Sequence, residues 1–131
     1  MSVVAIRGYS PVLVMAGIVA GGIVVQVYLA GLAVFGEPQG WAMHGMFGGV
    51  LAFPVIGLAI MSWIGPAGSR IRGPASLLML LYLLQIVLVA TGTKAGQSWL
   101  AALHPANALT MLLVALEVMR RTRQSRSKAG A

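Results

Sequence analysis

Residues 11–35 read PVLVMAGIVAGGIVVQVYLAGLAVF, and this stretch decides the class of fold. It contains no Asp, Glu, Lys or Arg, and it exceeds the roughly 20 residues that an α-helix needs to cross a bilayer. It is also too long for the apolar core of a signal peptide, which takes about 7–15 residues. The sequence therefore predicts that the chain begins with a membrane-spanning helix.

Three further apolar stretches follow, separated by segments rich in Gly, Pro and polar residues, which interrupt helices. The whole chain is 59% hydrophobic and 8% charged, whereas soluble domains are about half apolar and a quarter charged. Short loops favour antiparallel neighbours, so we predict an all-α, four-helix transmembrane up-down bundle that forms one domain over residues 1–121. The predicted spans cover about residues 11–35, 41–64, 74–91 and 99–119.

The nine Lys and Arg, which with two acidic residues give a net charge of +7, are unevenly distributed. Eight of the nine Lys and Arg lie near the N-terminus, in the middle loop or near the C-terminus, and only Lys94 lies elsewhere. The positive-inside rule then predicts that both termini are cytoplasmic, and we expect a multi-pass location in a bacterial inner membrane. Residues 122–131 are predicted to form a disordered basic cytoplasmic tail. This tail has no aromatic residues for base stacking, so we expect contact with the lipid bilayer and no nucleic-acid partner.

Two histidines lie just inside the second and fourth spans. His44 closely follows Trp41, and His104 closely follows Trp99. Ionisable side chains at membrane depth are costly and mark functional sites. The second and fourth spans are parallel and diagonally opposed in an up-down bundle, so both imidazoles should lie near the outer face, across a gap of about 11–14 Å. One metal-centred ring would fill that gap. The sequence thus predicts a b-type haem with His44 and His104 as its axial ligands.

Small and polar residues accompany the two histidines. Gly48 and Ala108 each lie four residues after a histidine, on the same helix face, and would leave room for the macrocycle. Gln26, Gln85 and Asn107 are polar side chains within the spans, predicted to form a floor beneath the site that holds water or a hydrogen-bonding ligand group. A simpler interpretation is open for these residues, because small and amide side chains also mediate packing between membrane helices.

The composition restricts the remaining chemistry. The chain has no cysteine, which excludes disulfides, thiolate metal sites and c-type haem attachment. No Ser/His/Asp set, carboxylate pair or phosphate-binding loop occurs, so we expect no independent catalysis. Met43, Met46 and Met111 lie near the histidines in sequence, and thioether with imidazole suits copper. An outer-face copper or small-ligand site therefore remains open, as does a non-enzymatic accessory subunit that packs in a homo- or hetero-oligomer.

Four segments also form a recognisable pattern, which comprises Gln26-Val-Tyr-Leu-Ala-Gly31-Leu, His44-Gly45, Leu84-Gln85-Ile and Leu103-His-Pro-Ala-Asn-Ala108 ahead of a terminal Arg-Arg. Together they resemble an uncharacterised family of small four-helix bacterial membrane proteins, over about residues 20–121. The resemblance implies the fold and groups both glutamines with both histidines, and it implies no activity. More loosely, the chain is similar to four-helix b-type cytochromes with histidine ligands on facing helices.

Two histidines can ligate only one haem in this way. A single haem near one face cannot carry electrons across about 30 Å of hydrocarbon alone. The haem hypothesis therefore predicts a partner that exchanges electrons with it, either a quinol or a redox subunit in the membrane.

Overall fold

The computed structural model describes residues 10–64, 68–94, 96 and 98–129. Over these residues the chain is helical apart from short turns, and four helical segments are long and apolar enough to cross a membrane. This confirms the predicted all-helical fold with four helices of membrane-spanning length and composition. The helices are α1 (Pro11–Val34), α2 (Gln39–Val50), α3 (Ala52–Ser62), α4 (Arg72–Lys94) and α5 (Ser98–Ala129).

The four spans pack as a ring in chain order, with α2 and α3 together forming the second span. α1 packs against α2 and α3, α3 packs against α4, and α5 packs against both α4 and α1. The second and fourth spans therefore lie diagonally across the bundle. The two histidines come from these diagonal elements.

The second span is interrupted at Leu51, between α2 and α3. Pro54 has no N–H to donate to the carbonyl of Val50, and its ring disfavours a regular turn there. The chain continues through the interruption with a bond from the Leu51 N–H to the Phe47 carbonyl (3.1 Å) and one from the Val55 N–H to the Leu51 carbonyl (3.3 Å). The segment that carries His44 is thereby separated from the one that forms the core.

The close-packed core occupies only one half of the bundle. Its fully buried side chains come from the first half of α1, from α3, from the first half of α4 and from the second half of α5, and they include Val19, Val55, Leu58, Leu78 and Val118. These segments all lie at the end remote from the histidines. The packed half supplies most of the buried apolar contact, whereas the histidine half is free to hold a ligand.

The C-terminal segment differs from the prediction. The predicted disordered tail over 122–131 is helical as far as residue 129, because α5 continues past the end of the span. Thr122 Oγ1 donates to the Val118 carbonyl at 2.8 Å, and Ser125 Oγ donates to the Arg121 carbonyl at 3.0 Å. Extending an existing helix avoids the cost of nucleation, so a polar sequence can remain helical here. Residues 130–131 lie outside the described residues.

Glycine permits a close helix crossing at the histidine end of both hairpins. A Cβ on Gly40 at the start of α2 would lie 2.7 Å from the Leu29 carbonyl oxygen and 2.8 Å from the Ala33 nitrogen. A Cβ on Gly92 near the end of α4 would lie 2.7 Å from the Ala101 nitrogen. Both contacts are with backbone atoms, which cannot move aside as a flexible side chain can. These glycines therefore set the helix spacing beside the histidines.

We expect Gly40→Ala to lower the free energy of unfolding by about 1–3 kcal/mol, because the added methyl group forces the α1 and α2 backbones apart. Gly21→Ala is the matched control, since its Cβ position in α1 has nothing within 4 Å. The control should be neutral or stabilising by up to about 1 kcal/mol. Denaturation of both variants in the same detergent makes the comparison, and equal stability would contradict the close crossing.

Candidate functional site

The structure brings the two predicted histidines together. The ring centroids of His44 and His104 lie 5.9 Å apart, with 54° between the ring planes. An imidazole nitrogen lies about 2.0–2.1 Å from a metal that it binds, and its ring centre roughly 1 Å farther, so two imidazoles on opposite sides of one ion have centres roughly 6 Å apart. The separation thus matches that of two ligands on one metal.

A backbone carbonyl accepts a hydrogen bond from each imidazole. His44 Nδ1 lies 3.0 Å from the carbonyl oxygen of Gln26, and His104 Nδ1 lies 3.3 Å from the carbonyl oxygen of Gln85. A carbonyl oxygen can only accept, so Nδ1 is the donor in each ring, and in a neutral imidazole this leaves the lone pair on Nε2. Metal-ligating histidines typically have this arrangement, with the second nitrogen donating to a carbonyl or carboxylate.

The side chains of the same two glutamines lie one helical turn deeper. Their hydrogen bonding differs between Gln26 and Gln85. Asn107, which is buried, donates through Nδ2 to the Leu81 carbonyl at 2.9 Å and to Gln85 Oε1. The Gln26 amide instead lies against Gly48, and its buried Oε1 has no hydrogen-bond partner among the described residues. The Gln85 amide oxygen therefore accepts a hydrogen bond, whereas the Gln26 amide oxygen does not among the described residues.

A cavity of about 510 Å³ opens between the four spans at the level of the histidines. Ligand sites commonly fall between about 300 and 1,000 Å³ and are mostly apolar with a few polar groups. The lining has this character. It includes both histidines and both glutamines, with Ile23, Val27, Ala30, Leu51, Ile86, Val89 and Ala90 among the apolar residues.

Gly48 and Ala108, the small residues predicted at the site, line this cavity. They make room for, or pack against, different groups. Gly48 provides the space in which the Gln26 amide lies, since a Cβ there would come 2.5 Å from Gln26 Nε2. Gly45 and Gly49 also line the cavity and have nothing within 4 Å of their Cβ positions. Ala108 lines the cavity too and packs against the buried core. The free space in the cavity beside α2 is therefore next to Gly45 and Gly49.

The methionines and tryptophans lie in different environments. Met43 and Met46 are 50% and 74% exposed and lie outside the cavity lining. Met111 lines the cavity, but it follows His104 by seven residues, or about 10 Å along the helix. Trp41 packs edge-on against His44, with ring centroids 6.1 Å apart. The tryptophan contacts one imidazole, whereas Met43 and Met46, although close to His44 along α2, are exposed and lie outside the lining.

Tyr82 is a site residue whose role the sequence did not reveal. Its hydroxyl donates to the Gly48 carbonyl at 2.9 Å, on the last turn of α2 before the break. A lipid-embedded helix end needs such a partner, because no water is present to satisfy its carbonyl groups. Tyr82 therefore ties α4 to the helix that carries His44.

One sequence signal could have revealed the relation between glutamines and histidines. Gln26 precedes His44 by 18 residues, and Gln85 precedes His104 by 19. The nearly equal separation places a carbonyl on one helix beside an imidazole on the next in both hairpins. Two Gln–His pairs are too few to form a recognisable repeat. Whether each carbonyl meets the imidazole depends on how the two helices of the hairpin pack.

We expect Tyr82→Phe to lower the free energy of unfolding by about 0.6 kcal/mol, the average for a side-chain hydrogen bond in a membrane bundle. The same change at Tyr28, a 64% exposed residue of α1, is the matched control and should have a smaller effect. Thermal unfolding in one detergent gives both values. A Tyr28 variant that loses as much stability as the Tyr82 variant would argue against a structural role for the Gly48 contact.

Comparison with known proteins identifies a family for the chain but no activity. Residues 26–93 match the profile of a family of unknown function (DUF6220). The matched region contains Gln26, His44 and Gln85 and ends before His104. Searches of curated proteins and of solved structures found no match.

Proposed function

Because the chain belongs to a family of unknown function (DUF6220), we propose its function from its own residues: it is a small b-type cytochrome that binds one haem between His44 and His104. The observation that carries the proposal is the histidine pair, whose ring centroids are 5.9 Å apart. Both Nδ1 atoms are committed to backbone carbonyls, which leaves both Nε2 lone pairs available for one iron.

The donor set favours haem over a free metal ion. Within the described residues no group of three or more His, Cys, Asp or Glu could hold an ion. A porphyrin supplies four nitrogen ligands itself and takes only axial ligands from the protein, which is the number that this pair provides. A copper site with mixed thioether and imidazole ligands is disfavoured, because Met111, the methionine in the lining, lies about 10 Å along α5 from His104.

The surrounding residues suit a large, flat, apolar ligand. The cavity reaches all four spans, and its α2 side is open at Gly45 and Gly49. The carbonyls of Gln26 and Gln85 hold the two imidazoles in one tautomer and keep them from rotating. Haem iron would supply one-electron chemistry in this site. We propose that it exchanges electrons with a quinol or with another redox subunit of the membrane.

The test is an absorption spectrum of the protein expressed with ample haem, recorded oxidised and then reduced with dithionite. We expect a Soret band and a sharp reduced α-band. Both His44→Gly and His104→Gly should lose the bis-histidine spectrum, because each removes one axial ligand. Imidazole added to either variant should restore it by occupying the vacated space.

Met43→Leu is the matched control, since Met43 adjoins His44 in sequence but lies outside the cavity lining. It should keep the spectrum. A colourless wild-type protein would overturn the haem proposal, and metal analysis of the same sample would then test copper. A colourless, metal-free protein that is stable only with a partner would support an accessory subunit instead.

A second candidate is a small organic ligand in the same cavity, and one observation favours it. Gln26 Oε1 is buried without a partner among the described residues, and buried polar atoms are normally hydrogen-bonded. A hydroxyl or N–H group on a ligand would satisfy it. Gln26→Leu should abolish binding of such a ligand, whereas bis-histidine haem should still bind to this variant.

We also propose that the chain lies in a bacterial inner membrane with both termini on the cytoplasmic side. The distribution of basic residues favours this orientation. A reporter enzyme that is active only outside the cytoplasm should be inactive when fused to the C-terminus. The same reporter inserted at Gly36, in the exposed turn between α1 and α2, should be active. The reverse result would place the histidine site on the cytoplasmic face.

A further inference from the structure

A basic cleft lies at the end of the bundle opposite to the histidines. It has a volume of about 400 Å³ and is lined by Arg70, Arg120, Arg121, Gln124 and Ser125. Arg121 follows His104 by 17 residues on the same helix, which corresponds to about 25 Å. The cleft is therefore separate from the proposed haem site and does not depend on it.

Hydrogen bonds hold the segment before α4 against α5 at this cleft. Arg70 Nη1 donates to Ser125 Oγ at 3.3 Å, and Arg121 Nη1 donates to the Arg70 carbonyl at 3.2 Å. These contacts bring a guanidinium from one segment beside two from another. A guanidinium carries five N–H donors in a planar fork, so each retains donors that these contacts do not use.

The charges in the cleft are not balanced. Glu117 pairs with both Arg120 and Arg121, at 2.6 and 2.7 Å. One carboxylate is thus paired with two of the three guanidinium groups that line the cleft, and the third belongs to Arg70. The positive excess, together with the forked donors, suits a phosphate group, which arginine binds through paired hydrogen bonds.

Neighbouring residues place the cleft at the level of lipid headgroups. Trp63 at the end of α3 is 65% exposed, and the Arg72 guanidinium carbon lies 4.4 Å from the centre of its ring. Exposed tryptophans mark the boundary between hydrocarbon and headgroups. Arg72 adjoins the α3–α4 connection that also carries Arg70. Basic pockets at this depth between helices bind anionic lipid headgroups.

From these contacts we propose that the Arg70–Arg121–Ser125 cleft binds a phosphate group, with an anionic phospholipid headgroup as its source. Gln124 and Ser125 add uncharged side chains beside the phosphate. The bound headgroup would clamp the α3–α4 connection to α5. It would thereby stabilise the packed end of the bundle.

The test is native mass spectrometry of the full chain in detergent, titrated separately with phosphatidylglycerol, phosphatidylcholine and inorganic phosphate. We expect phosphatidylglycerol to bind more tightly than phosphatidylcholine. Arg70→Gln should weaken phosphatidylglycerol binding by about fivefold, the typical effect of one basic residue at a membrane surface. Ser125→Ala should weaken it less. The thermal midpoint in lipid-free detergent checks that each variant is folded.

Arg123→Gln is the matched control, since it removes the same charge from α5 but does not line the cleft. It should change the affinity by less than twofold. Equal losses for Arg70→Gln and Arg123→Gln would overturn the proposal in favour of diffuse attraction, and so would equal binding of the two lipids. Inorganic phosphate that binds with the same dependence on Arg70 and displaces the lipid would support the site but assign it to soluble phosphate.

Discussion

The hydrocarbon core of a bilayer contains no water that could satisfy a free backbone carbonyl or N–H group, and this constraint governs the structure. It makes the spans helical, and it requires a partner for the carbonyls at the break that Pro54 causes. On the turn before that break, the Tyr82 hydroxyl donates to the Gly48 carbonyl. The same constraint makes helix carbonyls the available acceptors for the two imidazoles. The site is thus oriented largely by the backbone of the fold.

The two ends of the bundle differ in how tightly their side chains are packed. One half is filled by interlocking aliphatic side chains from all four spans, and it supplies the stability that an open cavity cannot. The other half holds the cavity, with close crossings at Gly40 and Gly92 fixing the helix spacing around it. The packed half supports the helices that carry the histidine pair, whose ring centroids lie 5.9 Å apart. The basic cleft lies at the packed end, where a ligand would reinforce that half.

The two hairpins use equivalent contacts with one informative difference. In each, a glutamine carbonyl on the first helix accepts from a histidine on the next. Asn107 lies three residues after His104 and donates a hydrogen bond to the amide oxygen of Gln85. The equivalent residue, three after His44, is Phe47. Phenylalanine cannot donate a hydrogen bond, and Gln26 Oε1 is left without a partner in the described part of the chain. Any hydrogen bond between the cavity wall and a ligand is therefore favoured on the Gln26 side.

The sequence by itself determined the helical class and the number of helices long enough to span a membrane, because these follow from local hydropathy and from the residues that interrupt helices. It also predicted that His44 and His104 lie at one level, and their ring centroids are 5.9 Å apart. It also singled out Gln26, Gln85 and Asn107 as polar residues within the spans, but not the contacts that they make. Only the tertiary structure decided that the glutamines reach the imidazoles through backbone carbonyls, that Tyr82 satisfies Gly48, and that α5 continues through the basic segment. The first two features depend on the rotation and spacing of packed helices, to which distant residues contribute and which no local pattern encodes. The third depends on the preceding span, which the basic segment extends without a cost of nucleation.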